Sequence, residues 1–271
     1  MFKNKTFIIT GASRGIGKAI ALTLAREGAN IVIASKSTKE DPRLGGTIFT
    51  AAEEIEQAGG NALPVACDIR FEEQIENVVN AAINRFGTID GLINNASAIS
   101  LTTTEQTDTK RFDLMHSINV RGTFLITKHC IPHLKASANP HILTLSPPLN
   151  ITPEWLAISV PYSISKFNMS MMTLGWAQEL KKDRIAANAL WPVTTIATAA
   201  VKNLLGGEQM VAQSRTPQIL ADASRYILSQ PSDQCTGNLF LDETVMKKAG
   251  ITDLSTYAVT PGAPLQKDLF L

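Results

Sequence analysis

The sequence offers little that would tie its 271 residues to an oxidising compartment, a membrane or a nucleic acid. It holds three cysteines, Cys67, Cys130 and Cys235. They lie too far apart for zinc-ligand spacing or a disulfide framework, which fits a reducing compartment. Neither sign of charge is in excess: 25 Lys and Arg against 24 Asp and Glu leave a net charge of +1. With no basic block, nothing points to a nucleic-acid groove. No apolar run approaches the roughly 20 residues needed to cross a bilayer. The N-terminal "MFKNKTFIIT" is too short to be the apolar region of a secretion signal, and the C-terminal "DLFL" is not a peroxisomal tripeptide. These absences predict a soluble, cytoplasmic protein with no membrane or nucleic-acid partner. Charged residues make up only 18% against 44% hydrophobic, so the chain can bury a sizeable core and is not a disordered one.

What is present is an alternation. Short β-branched runs at 6–10, 30–35, 62–67, 90–95, 141–146, 185–191 and 238–242 read as seven strands, with amphipathic helical patterns between them. Near-continuous apolar strands separated by helices imply βαβ units in a mostly parallel sheet covered on both faces. The fold class expected is therefore α/β, doubly wound and Rossmann-like, in a single domain over 1–271 with a dinucleotide-binding N-terminal half and a substrate site in the C-terminal half. Gly59 and Gly60 are placed to end a helix. Two connections, 36–46 and about 193–216, are longer than βα loops usually are. The second leaves the carboxyl edge of the sheet, where open α/β folds bind ligands.

The first strand runs into "TGASRGIG", with Gly11, Gly15 and Gly17 in a G-x3-G-x-G pattern. A tight strand-to-helix turn needs residues that tolerate φ > 0 and close backbone approach. The helix after it offers unpaired N–H groups and a positive dipole end to a pyrophosphate. Gly11, Ser13, Arg14, Gly15, Ile16 and Gly17 are thus candidate dinucleotide contacts; the alternative is a turn that merely happens to be glycine-rich. Where the second strand ends, a site for NAD would usually present a carboxylate to the ribose hydroxyls. Here Ser35 and Lys36 stand, with Arg14 nearby. Two cations and no carboxylate suit a 2′-phosphate, so NADP(H) is expected over NAD(H), unless Lys36 is only a solvated loop lysine. Asp68, followed by Ile69, could accept a hydrogen bond from the adenine amino group or cap the helix beginning near Phe71.

Tyr162 and Lys166 in "YSISK" are four residues apart in a helical pattern, so both project from one face. A phenol titrates near 10, and an ammonium beside it favours the phenolate. Tyr162 could then exchange a proton with a carbonyl or hydroxyl while hydride passes to or from a nicotinamide.

"TGASRGIG", "NNAS" (94–97), "SINVRGTF" (117–124), "YSISK" and "NALWP" (188–192) resemble, in order and spacing, the short-chain dehydrogenase/reductase family over essentially the whole chain. "SPPLN", "NALWP" and the tail "YAVTPGAPLQKDLFL" resemble its hydroxysteroid dehydrogenase-like subgroup, whose longer members carry a sterol-carrier domain beyond the point where this chain stops. The resemblance implies that Asn95 and Ala96 line the adenosine-ribose side of the cofactor. It makes Asn119 the holder of a proton-relay water, Tyr162 the acid–base residue and Lys166 the holder of the nicotinamide ribose. It also implies a homodimer or homotetramer, paired through stretches near 107–136 and 161–181. The apolar end of "PLQKDLFL" should add to that interface, since a monomer would leave it partly exposed.

Two departures stand out. The family's Pro-Gly after the sixth strand is Pro192-Val193, although Ile196 and Thr198 could still meet a carboxamide. The family's serine, thirteen residues before the tyrosine, falls on Leu149; matching strand ends instead brings in Ser146, followed by Pro147 and Pro148. Pro147 should hold Ser146 extended at the strand's carboxyl end, where its hydroxyl could donate to a substrate oxygen or orient Tyr162, or merely bond a neighbouring backbone group. Ile99, Leu149, Trp155 and Leu156 are expected near an apolar substrate pocket. The reading is an NADP(H)-dependent oxidoreductase interconverting a carbonyl and a secondary alcohol; the alternative is a cofactor-binding sensor or scaffold with weak or no catalysis.

Overall fold

The computed structural model describes all 271 residues. Its seven strands are β1 (Thr6–Thr10), β2 (Asn30–Ser35), β3 (Asn61–Ala66), β4 (Gly91–Asn94), β5 (His141–Leu145), β6 (Ala186–Trp191) and β7 (Leu239–Leu241). They lie within a residue or so of the expected runs. All pair in parallel, in the order β3-β2-β1-β4-β5-β6-β7. The helices are α1 (Gly15–Ala25), α2 (Ile48–Gln57), α3 (Glu72–Phe86), α4 (Thr109–Met115), α5 (Thr123–Leu134), α6 (Pro153–Ile158), α7 (Val160–Glu179), α8 (Gly207–Ala212), α9 (Gln218–Ser229) and α10 (Asp242–Lys248). A π-helical stretch, His116–Gly122, joins α4 to α5.

Side chains alternate across the sheet. Ile9, Ile31, Ile33 and Leu143 enter a core with α1, α2, α9 and α10. Ile8, Val32, Leu92 and Ile142 enter a second core with α3, α5 and α7. Both faces are therefore covered, as the unbroken apolar strands required. Chain order reverses between β1 and β4, and their carboxyl ends open the crevice in which ligands of such sheets sit.

The C-terminal segment corrects one expectation at a single residue. Phe270 is only 1% exposed. It lies in a third, smaller cluster with Met115, Tyr162, Phe167 and Trp191, so this residue of the tail is buried within the chain, while Leu269 and Leu271 stay half-buried. The segment is stitched to the connection after β6: Thr194 bridges Lys267 in antiparallel fashion, Thr195 N donates to Gln266 O at 2.9 Å, and Asp268 N donates to Val193 O at 3.0 Å.

Candidate active site

A cleft of about 1590 Å³ runs along the carboxyl edge of the sheet. That exceeds the few hundred to about 1,000 Å³ of a drug-sized pocket, leaving room for a dinucleotide and a small partner. Its lining includes Gly11, Ser13, Arg14, Gly15, Ile16, Lys36, Asp68, Ile69, Asn95, Ala96, Ile99, Tyr162, Lys166, Pro192, Ile196 and Thr198. Sequence reading named all of these.

At the glycine turn, Gly11 has φ +69° and a Cβ there would meet Asn95 Nδ2 at 3.0 Å. The first bond of α1 runs from Lys18 N to Arg14 O. The amides of Gly15, Ile16 and Gly17 have no carbonyl one turn back in the helix, which makes an anion-binding helix end. Gly17 does not line the cleft. A Cβ on it would sit 2.5 Å from Asn95 Nδ2 and 2.9 Å from Gly11 O, so Gly17 lets α1 pack against the strand ends. Asn95 locks this corner, with Nδ2 donating to Thr10 O at 2.8 Å and to Gly11 O at 3.2 Å.

The adenosine end is more occupied than the sequence suggested. Arg14 donates through Nε to Gly45 O at 2.6 Å and through Nη2 to Gly46 O at 2.8 Å. Part of its donor set therefore pins the 36–46 connection. Lys36 lines the cleft near enough to Asp68 to help hold that carboxyl low. Arg43, which sequence reading missed, also lines it while paired to Asp41 at 3.3 Å. Its carbonyl accepts from Asn203 Nδ2 at 2.8 Å, tying the two long connections together across the cleft. Asp68 is held by Arg70 at 2.6 Å. It does not cap the following helix, whose N-cap is Phe71. The adjacent guanidinium keeps the Asp68 carboxyl below its ordinary range.

At the other end, Tyr162 and Lys166 rise from one face of α7. Lys166 Nζ donates to Leu145 O at 2.6 Å, touches Met169 Sδ at 3.4 Å and lies 5.1 Å from the Trp191 ring centre. Burial lowers its pKa to about 7, with Asp268 opposing. Burial first, and the Asp268 carboxyl second, push the Tyr162 phenol above its ordinary value. This is opposite to the lowering expected from a neighbouring ammonium, because burial weakens the ammonium itself and the second charge at hand is negative. Asp268 is in turn raised to about 6, by burial and then by Asp242, with Lys166 opposing. Its carboxylate accepts from Leu269 N at 2.7 Å.

Asn119, in the π-helical stretch, is fully buried. Nδ2 donates to Ala98 O at 2.9 Å and Ser165 Oγ at 3.0 Å, and Oδ1 accepts from Ala98 N at 2.8 Å. Its side chain therefore fixes the loop after β4 to α7 and is not part of the cleft lining. Ser146 is also buried and outside that lining, and its Oγ has no hydrogen-bond partner. The neighbouring Pro147 is anchored through its carbonyl, which accepts from Ser170 Oγ at 2.6 Å. Val193, where the family has glycine, uses both main-chain groups: its N–H donates to Asp242 Oδ1 at 2.9 Å and its carbonyl accepts from Asp268.

Of the four expected substrate-pocket residues, only Ile99 reaches the cleft. Leu149, Trp155 and Leu156 pack against the cluster that holds Tyr162, Trp191 and Phe270, Trp155 directly beside the Phe270 ring, so the tail fills part of the volume they would otherwise enclose. Trp191, Asp268 and Leu269 take the wall beside Tyr162. Sequence reading missed all three as site residues. The available signal was an acidic residue inside an apolar run, "KDLFL", which suits a partly wet cavity better than a dry interface.

The short chain dehydrogenase model matches residues 5–208. Hydroxysteroid dehydrogenase-like protein 2 of Rattus norvegicus is 56% identical over 266 residues, covering 98% of this chain and 50% of that protein. The chain thus spans about half the length of that curated relative. A solved structure described as a dehydrogenase from Xanthomonas campestris has a TM-score of 0.97 at 48% identity, covering 100% of this chain and 99% of its own. A short chain dehydrogenase from Mycobacterium thermoresistibile has a TM-score of 0.94 at 50% identity, covering 99% and 95%. With its parallel seven-stranded sheet, glycine turn and Tyr162–Lys166 pair at one cleft, the chain belongs to the short-chain dehydrogenase family, a family of nicotinamide-dependent oxidoreductases.

Proposed function

We propose that the protein is an NADP(H)-dependent oxidoreductase that interconverts a carbonyl and a secondary alcohol, with Tyr162 as the proton-transferring residue. The observation that carries this reading is a single cleft with the glycine turn and Lys36 at one end and Tyr162 and Lys166 at the other. The residues fit a dinucleotide: the turn leaves room and bare amides for a pyrophosphate, Lys36 and Arg43 offer cations for a 2′-phosphate, and Lys166 would hold the nicotinamide ribose. Reduced nicotinamide, when bound, supplies the hydride. Tyr162 gives its proton to the carbonyl oxygen as charge develops there. A phenol held above its ordinary pKa is protonated at neutral pH and so can donate in the reductive step. Lys166, titrating near neutrality, re-protonates it. A relay water would be held by the main chain of Asn119, since its side chain is already bonded. π-Helical turns are where regular main-chain pairing is interrupted.

The protein acts, in this reading, on a small molecule and as a homo-oligomer. Phe112, Phe124 and Met171 are 37%, 47% and 51% exposed on α4, α5 and α7, as expected of helices that pair between subunits. The same reading keeps it in the cytoplasm; no helix is long and apolar enough to cross a membrane. A second reading, cofactor binding without efficient turnover, is favoured by the seclusion of Ser146 from the cleft. The deciding experiment pairs Tyr162→Phe with a panel of carbonyl compounds. Turnover by the parent, abolished in the variant while NADPH affinity is kept, is expected. NADPH binding with no turnover of any compound by the parent would establish the second reading.

A further inference from the structure

The wall of the site beside Tyr162 is made by the tail. The ring of Phe270 lies 6.2 Å from that of Tyr162, 6.2 Å from Trp155, 5.1 Å from Phe167 and 6.0 Å from Trp191, centre to centre. These separations are those of aromatic side chains in contact. Phe270 does not line the cleft itself; it fills the space between the proposed acid and the residues expected to surround a substrate's apolar body, and so backs the wall that Leu269 and Trp191 present.

Its place is fixed on both sides. Trp191 Nε1 donates to Leu269 O at 3.0 Å, and Asn150 Nδ2 donates to Phe270 O at 3.2 Å. Phe270 also has φ +71°, a left-handed conformation that a bulky residue adopts only when its surroundings over-determine it. A side chain held this way behaves as a wall rather than a flap. What remains open beside Tyr162 is bounded by Leu269 and Trp191.

We propose that Phe270 is a specificity-determining residue that restricts the site to carbonyl compounds of small bulk beside the reacting carbon and excludes fused-ring ones. The proposal rests on the carbonyl-reduction reading above, but the position of the wall can be tested without turnover. Pockets discriminate by the volume they refuse, and a ring's worth of volume is worth about tenfold or more. Removing the Phe270 ring would open a cage lined by Leu149, Trp155 and Leu156, which suits an alicyclic body.

The test compares cyclohexanone with 2-decalone on the NADPH-saturated protein, for the parent, Phe270→Leu and Phe270→Ala. Two quantities are read: kcat/KM, and affinity from quenching of tryptophan fluorescence, since Trp155 and Trp191 flank the ring. The parent should favour cyclohexanone. Phe270→Ala should shift the decalone-to-cyclohexanone ratio toward decalone by about tenfold or more, with Phe270→Leu between. Phe270→Leu keeps an apolar filler and carries the test if the alanine variant fails to fold. A shift in the affinity ratio with no turnover of either ketone would uphold the wall and sink the catalytic reading. An unchanged ratio, failure of every variant to bind decalone, or a parent that already prefers it would overturn the proposal.

Discussion

Lys166 reaches across from α7 to donate to the carbonyl of Leu145 at 2.6 Å, at the end of the strand that precedes it. The bond holds the ammonium nitrogen beside the catalytic edge, yet gives it no carboxylate partner at bonding distance. Burial consequently lowers the Lys166 pKa to about 7.

A pH dependence of stability follows, with a definite sign. The unfolded lysine titrates near 10.4, so between about pH 7 and that value the unfolded chain binds more protons than the folded one. Stability should therefore rise with pH above about 7 from this group. The buried thiols of Cys67 and Cys130, pushed up by burial, oppose the trend where free thiols ionise, above about 8.5. The clearest window is thus roughly pH 7 to 8.5. Urea unfolding of the parent and of Lys166→Met should show the parent gaining on the variant across it. Parallel profiles would mean that Lys166 stays fully charged in the folded protein.

Cofactor preference should respond to Lys36 more than to Arg14. Arg14 already spends Nε and Nη2 on the carbonyls of Gly45 and Gly46, whereas Lys36 lines the cleft with no side-chain bond to the protein, although Asp68 lies close enough to feel its charge. Lys36→Asp places a carboxylate where ribose hydroxyls would be held and repels a 2′-phosphate. The ratio of NADP(H) to NAD(H) affinity, measured by fluorescence titration, should fall by about tenfold or more, as expected for loss of one charge-assisted contact. Equal affinity of the parent for both cofactors would remove the basis for the preference.

What the sequence disclosed depended on how local each signal was. Strands β1 to β7 were legible because residues buried on both faces leave runs such as "FII" and "NIVIA", and the glycine turn because Gly11 meets its constraint within one loop. Tyr162 and Lys166 are related by helical spacing alone. The tail was not legible. That Phe270 lies against Tyr162 depends on a bridge between Thr194 and Lys267, 73 residues apart in the chain (267 − 194), and no periodicity reports such a pairing. The three misplaced residues, Leu149, Trp155 and Leu156, were correctly apolar. What the sequence could not say was that the volume they surround is already filled. The direction of the Tyr162 shift failed first because burial outweighs the neighbouring ammonium, and second because Asp268 comes from the same distant segment.

Ser146 is the last of the catalytic candidates, and its surroundings separate its two expected roles. Its Oγ is buried and bonds nothing, so the alternative of a neighbouring backbone partner does not describe it. An unpaired buried hydroxyl costs stability, about 1–3 kcal/mol for a polar group left unsatisfied. Ser146→Ala should therefore leave the protein as stable as the parent or raise its stability by up to about 1 kcal/mol in urea unfolding. If a modest side-chain rotation lets the hydroxyl reach a substrate oxygen during turnover, the same variant should lose roughly ten- to a thousandfold in kcat, the usual range for one donor to developing charge. Gain in stability together with loss in kcat is the combination expected here. Because a packing defect would lower both quantities, the opposite signs identify a group kept unpaired for the reaction. Turnover by Ser146→Ala at the parent rate would instead leave Tyr162 and Lys166 to act without it.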